Sequence, residues 1–167
     1  MEIPVSLFNS GTSDVIPLPN GRIVVVGGDD IYVFDPPNNT PISALDLPGN
    51  TYVLGGVLAP NGNVYLSVSE FIGSDVVSRL YEFNPNTNTL TLVGSFPANT
   101  YQMSEIFFWN GQLYSFVTNY TNDPFDFALA SIQIGLLADP AAHSALAQEM
   151  TQQLFAALRQ NLPAAHY

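Results

Sequence analysis

The chain has no cysteine and no lysine, and only Arg22, Arg79 and Arg159 stand against fourteen acidic residues. Without cysteine there are no disulfides, no thiolate nucleophiles and no Cys-bearing zinc sites, but this leaves the compartment open, because such a chain folds alike in oxidising and reducing surroundings. The shortage of cations gives a net charge of −11. Proteins that bind nucleic acid gain affinity by placing Lys and Arg against phosphates, so nucleic acid and anionic membrane are poor partners for this surface. Histidine is scarce too: His143 and His166 both lie near the C-terminal end, which leaves the body of the chain without an imidazole acid or base. No apolar run approaches the ~18 residues of a membrane-spanning helix. The opening Met1-Glu2-Ile3-Pro4 lacks the basic region of an export signal.

What is present is enough for a core. Hydrophobic residues make up 47% of the 167 and charged residues 10%, and a compact domain of this size buries roughly 70% of its unfolded surface. The pattern is a repeat. An Asn-Ser/Thr pair is followed eleven residues later by Asn-Gly three times, from Asn9 to Asn20, Asn50 to Asn61 and Asn99 to Asn110. Tyr32-Val33-Phe34-Asp35-Pro36 recurs as Tyr81-Glu82-Phe83-Asn84-Pro85, so the periods are 41 and 49. The eight-residue difference falls between Asn61 and Phe83, where residues 69–78 are expected to lengthen one loop.

Each unit reads as four short strands. Asn-Gly between apolar runs is a strong hairpin signal, and a two-residue type I′ turn is expected at Asn61-Gly62 and Asn110-Gly111. Residues 23–26 are continuously apolar, as in a strand covered on both faces. Residues 63–68 alternate, with Val64, Leu66 and Val68 on one face and Tyr65 and Ser67 on the other. Third strands are expected at 31–34 and 80–83, and fourth strands at 43–47 and 89–93, with Asn84-Pro85-Asn86-Thr87 as turn chemistry.

Four-stranded units of this length are the sequence form of propeller blades. The Asn-Gly strand, Gly27-Gly28 and the Tyr-Asp-Pro run resemble the kelch family over residues 1 to about 118. The second Gly-Gly is replaced by Val68-Ser69 and the third by Val117-Thr118, and the family's Trp is Pro41 in the first blade and Leu90 in the second. The expected fold is therefore mainly β: a partial or open β-propeller of about three four-stranded antiparallel blades plus a C-terminal α-helix. Residues 3–8 read as a spare outer strand, and the blades as residues 9–49, 50–98 and 99–135. The third blade takes its third strand from residues 127–134 and lacks a fourth, so its closure falls to a second copy or to a longer chain. Residues 136–167 read as an amphipathic helix, capped by Asp139-Pro140 and stopped at Pro163, with Leu146, Met150, Leu154, Leu158 and Leu162 recurring every four residues. Such a helix packs on its own domain, covers the open edge of the third blade or pairs with another chain.

Candidate chemistry is sparse. The copper oxidases with kelch-like propellers, which the resemblance brings to mind, need a cysteine and histidine ligands that these blades do not have. Carboxylate catalysis, as in propeller glycosidases, needs two acids flanking a sugar bond. Glu105, on an expected inner strand, is the best placed; Glu70 falls in the long loop and Glu82 points to solvent. Asp29-Asp30 with Asp35, or Asp123 with Asp126, offer hard oxygen ligands without the alternation of a calcium loop. Asn38-Asn39-Thr40 and Asn119-Tyr120-Thr121 match glycosylation acceptors, relevant only to an exported eukaryotic chain.

Binding has the better case. In kelch propellers the loop entering each inner strand contributes to the partner-gripping face, and its counterparts here are Asn50-Thr51-Tyr52 and Asn99-Thr100-Tyr101. Asn and Thr supply adaptable hydrogen bonds, and Tyr supplies a flat surface that stacks on a sugar or anchors a peptide; equally, Asn-Thr can serve only to make the turn. Tyr120 is a further exposed aromatic, while Trp109 is expected to be buried beside its turn. The expectation is a non-catalytic binding or adhesion module for a protein or glycan, with no cofactor and no metal, at the cell surface or outside the cell, with homodimerisation through blade closure or the helix. A carboxylate-dependent carbohydrate-active enzyme and a purely structural repeat are the alternatives.

Overall fold

The structure is a computed structural model that describes residues 14–37, 40–109, 111–119 and 126–132. The expected N-terminal strand at 3–8, the stretch in which the third unit is expected to lack a fourth strand, and the expected C-terminal helix at 136–167 lie outside the described residues, as do Asn38, Asn39, Tyr120, Asp123, His143 and His166.

Strands form where β-branched and aromatic residues run between Gly, Pro and Asn turns. The first sheet is β1 (Asp14–Pro17), β2 (Ile23–Gly27), β3 (Asp30–Asp35) and β4 (Thr40–Asp46); the second is β5 (Thr51–Leu58), β6 (Val64–Ile72), β7 (Asp75–Asn84) and β8 (Thr89–Ser95). The third holds β9 (Tyr101–Trp109), β10 (Gln112–Asn119) and β11 (Asp126–Ile132). All three are antiparallel meanders in chain order, and none closes into a barrel. The first strands of the three sheets lie together, β1 beside β5 and β5 beside β9, which is an open, propeller-like arrangement.

The core sits between the sheets. Val24, Val26, Ile31 and Val33 of sheet one bury against Val64, Leu66, Val68 and Phe83 of sheet two. Tyr65 and Leu80, from the opposite face of sheet two, bury against Met103, Ile106, Leu113 and Val117 of sheet three. Sheet two is thus covered on both faces, and the alternation read along 63–68 separates its two neighbours. Val24, Val25 and Val26 are all fully buried, as the continuous apolar run requires.

Polar contacts fix the seams. The Ser67 hydroxyl, fully buried, donates to the Ser104 carbonyl at 2.6 Å, and Met103 N–H donates to Ser78 Oγ at 2.9 Å. At the other seam Gly56 N–H donates to Asp14 Oδ2 at 3.0 Å. Gly56 has no room for a side chain: a Cβ there would lie 2.6 Å from Ile16 Cδ1 and 3.0 Å from Leu66 Cδ2.

Two details differ from the sequence reading. At Asn61-Gly62 the turn is not a two-residue type I′ turn: Ala59 N–H donates to the Asn63 carbonyl and Gly62 N–H to the Ala59 carbonyl, which leaves Pro60, Asn61 and Gly62 in the loop with Gly62 at φ 85°. Leu18-Pro19-Asn20-Gly21-Arg22 repeats it, with Gly21 at φ 83°. The cause is the proline: a two-residue turn would need the residue before Asn61 to donate its N–H to the Asn63 carbonyl, proline has no N–H to give, and Ala59 closes the ladder one residue earlier. Where no proline precedes, Trp109 pairs directly with Gln112 across the two residues Asn110 and Gly111. Secondly, the eight extra residues do not make a loop. The β6–β7 ladder continues through four further pairs, Ser69↔Ser78 to Ile72↔Asp75, and turns at Gly73-Ser74.

Candidate binding face

The extended β6–β7 hairpin reaches the end of the sheets where the chain passes from one sheet to the next. Phe71 N–H donates to the Asn50 carbonyl at 2.8 Å, tying the hairpin to the β4–β5 connector. Asn99 N–H donates to the Val76 carbonyl at 2.9 Å, tying it to the β8–β9 connector. Asn50-Thr51-Tyr52 and Asn99-Thr100-Tyr101 thus flank one tip. The Asn-Gly turns occupy the opposite end.

The six residues are not equivalent. Asn99 is a turn residue at φ 55°; its Oδ1 accepts from Val76 N–H at 2.9 Å and its Nδ2 donates to Asp75 at 2.7 Å. The Thr100 hydroxyl donates to the Pro97 carbonyl at 2.6 Å. Thr51 is buried, and its Oγ1 has no hydrogen-bond partner. Asn50 is exposed. Tyr52 is 48% exposed and meets the edge of Phe71 at 6.0 Å and 88°. Tyr101 is half-buried and packs on Phe96 at 5.5 Å. A cleft of about 380 Å³ opens between hairpin and connector, lined by Phe71, Val76, Asn99, Tyr101 and Gln102. At its floor Gln102 Nε2 donates to Ser69 Oγ at 2.8 Å. Phe71 and Ile72, 40% and 51% exposed, crown the tip.

Phe71, Ile72, Val76 and Gln102 were not picked out from the sequence. The signal that could have found them is the eight-residue excess itself, since insertions into a repeat fall on one face, often the binding face. Trp109, expected to be buried, is 62% exposed.

The candidate acids are separated. Glu70 lies on β6, half-buried and paired with Arg79 of β7. Glu105 is exposed on β9, over Gly55 of β5. Glu82, expected to face solvent, is half-buried; it accepts from Asn63 Nδ2 at 2.8 Å and Asn61 Nδ2 at 3.1 Å, and these bonds hold its carboxyl below the usual range. Asp30 is shifted upward by burial, by Asp29 and by the facing Asp46. Among the described residues no group of three His, Cys, Asp or Glu side chains is placed to hold a metal ion.

No family model matches the chain, and no curated protein matches it. Solved structures do. One is the crystal structure of the mitotic checkpoint complex, 15% identical, covering 74% of this chain and 36% of that one with a TM-score of 0.48. Another is a protein of unknown function from Bacteroides caccae, 10% identical, covering 71% of this chain and 61% of that one with a TM-score of 0.38. The chain spans about a third of the first and three-fifths of the second.

Proposed function

We propose that the chain is a non-catalytic binding module of degenerate kelch-type blades, and that it grips a protein partner at the tip of the β6–β7 hairpin. The observation that carries this reading is the grouping of exposed Tyr52, Phe71 and Ile72 beside an open cleft lined by Phe71, Val76 and Tyr101. Exposed aromatic and aliphatic side chains around a concavity are the anatomy of a hot spot. A protein segment that inserts an apolar side chain suits the cleft better than a sugar, because both ends of the Asn99 amide and Gln102 Nε2 already have partners. Sugars need free polar groups to specify their hydroxyls. The kelch reading draws support from the repeated four-stranded antiparallel units. The pairing of Glu70 with Arg79 supports binding over catalysis, since that ion pair engages one of the acids that a glycosidase reading would set beside Glu105. The absence of Lys and the wealth of Asn, Thr and Ser suit a cell-surface or extracellular setting.

Selection of a displayed random-peptide library on the intact chain tests the proposal. Peptides carrying an aromatic or aliphatic anchor should enrich, and Phe71→Ser or Tyr101→Ala should weaken their binding at least ~10-fold, the loss of one anchor. Enriched peptides indifferent to both substitutions would contradict it. Glycan-array hits dependent on Tyr52 and Tyr101 would replace it with the glycan reading.

A further inference from the structure

The end of the sheets that carries the cleft is also the end where acidic side chains collect. β3 begins at Asp30 and β4 ends at Asp46, so the two face each other where the chain leaves for β5, with Asp29 beside them. Leu47 N–H donates to the Asp29 carbonyl at 2.6 Å and Val53 N–H to the Gly28 carbonyl at 3.0 Å, which fixes this group against the start of β5. The long hairpin adds Glu70 and Asp75. Asp75 stands at the rim of the cleft itself. It is exposed, lies opposite Ile72 at the tip and next to Val76 in the chain, and its carboxylate accepts from the Asn99 amide at 2.7 Å; Val76 and Asn99 both line the cavity. Little positive charge answers these acids. The chain has no lysine. Arg79 is engaged by Glu70, Arg22 lies at the opposite end in the turn before β2, and Arg159 is outside the described residues. Like charges facing across a ladder destabilise it, and among the described residues no Arg bridges Asp30 and Asp46.

We propose that the segment gripped at the hairpin tip is basic: an apolar anchor enters the cleft, and a Lys or Arg beside that anchor faces Asp75, steered in by the field of Asp29, Asp30 and Asp46. This rests on the binding reading above and adds the partner's charge to it. The two kinds of contact act on different rates. The anchor loses its water in the cleft and governs how slowly the complex comes apart, whereas exposed charges at a rim reach out over a Debye length of ~10 Å at 0.1 M salt and govern how fast it forms. A neutral segment with the same anchor is not steered, and an acidic one is repelled. A cation brought by the partner also relieves the opposition of Asp30 and Asp46.

The peptides selected from the display library are the probe, and those with an apolar anchor should carry Lys or Arg beside it. Asp75→Asn keeps the acceptor for Asn99 and removes only the charge; it should slow association about three- to ten-fold, while Phe71→Ser acts on dissociation. Raising the salt from about 50 to about 500 mM should slow association to the unaltered chain in the same way. Asp46→Lys guards against misfolding as the cause, because it relieves the opposed pair and stabilises the chain, yet it too should bind the basic peptide more slowly. Replacing the peptide's basic residue with Glu should weaken binding to the unaltered chain and cost less against Asp75→Lys. Anchored peptides that depend on Phe71 but meet Asp75→Asn and Asp46→Lys at unchanged rates, indifferent to salt, would overturn this inference and leave the binding reading standing. Peptides indifferent to Phe71 as well would overturn both.

Discussion

At the residue scale, the tightest constraint is Gly56, where β5 passes under Ile16 and over Leu66. Gly56→Ala places a methyl 2.6 Å from Ile16 Cδ1 and should destabilise the chain by ~1–3 kcal/mol, the usual cost of overpacking. The nearest atom is the end of a flexible side chain, so Ile16→Val in the same chain should recover part of that loss. Denaturant unfolding of the single and double variants measures the coupling, and simple additivity would show that the contact is not the cause. Glu82 gives a pH test. Its carboxyl is held low first of all by Asn63; burial opposes this, and Asn61 and Tyr65 add to the lowering. A depressed carboxyl contributes stability that is present above its unfolded pKa of about 4.3 and is lost as pH falls through the lower folded value. The stability gap between the chain and Glu82→Ala should therefore be widest near neutrality and close in acid, by unfolding curves taken across that range; a gap constant with pH would contradict the assignment.

At the element scale, much was legible because turn chemistry and hydrophobic period are local. The Asn-Gly spacing and the Tyr-x-Phe-x-Pro echo located the strands of the first two sheets, and the alternation along β6 separated its two buried faces. What was misread depended on competition between signals. Pro60 overrode the type I′ preference of Asn61-Gly62, and this was readable from the proline alone. The hairpin extension was not, because Ser69, Glu70, Ser74 and Asp75 look like loop; it is held as strand by partners outside the hairpin, namely Gln102 on Ser69 and the backbones of Asn50 and Asn99. The cleft follows from that docking and shares its non-local origin. Elsewhere the strands carry a fault that can be corrected. Asp30 lies directly opposite Asp46, and like charges facing across a ladder destabilise it. Asp46→Lys should raise stability by about 0.5 kcal/mol at low ionic strength, and the gain should shrink in molar salt. Thermal unfolding at two salt concentrations checks it, and a loss of stability at both would refute it.

At the scale of the whole molecule, the account rests on sheets stacked through their first strands, with sheet two turning one face toward sheet one and the other toward sheet three. This order places the connectors and the long hairpin at one end and the Asn-Gly turns at the other. The seam between β5 and β9 is where it is most exposed to test. A Cβ at Gly55 would lie 3.5 Å from Glu105 Cα, a spacing compatible with a disulfide, and the chain has no other cysteine to confuse the result. Mild oxidation of the Gly55→Cys/Glu105→Cys chain at low concentration, read by mass spectrometry before and after reduction, should show a monomer two hydrogens lighter with residues 55 and 105 joined. A product that remains a free dithiol, or that crosslinks only into dimers, would contradict the stacked arrangement.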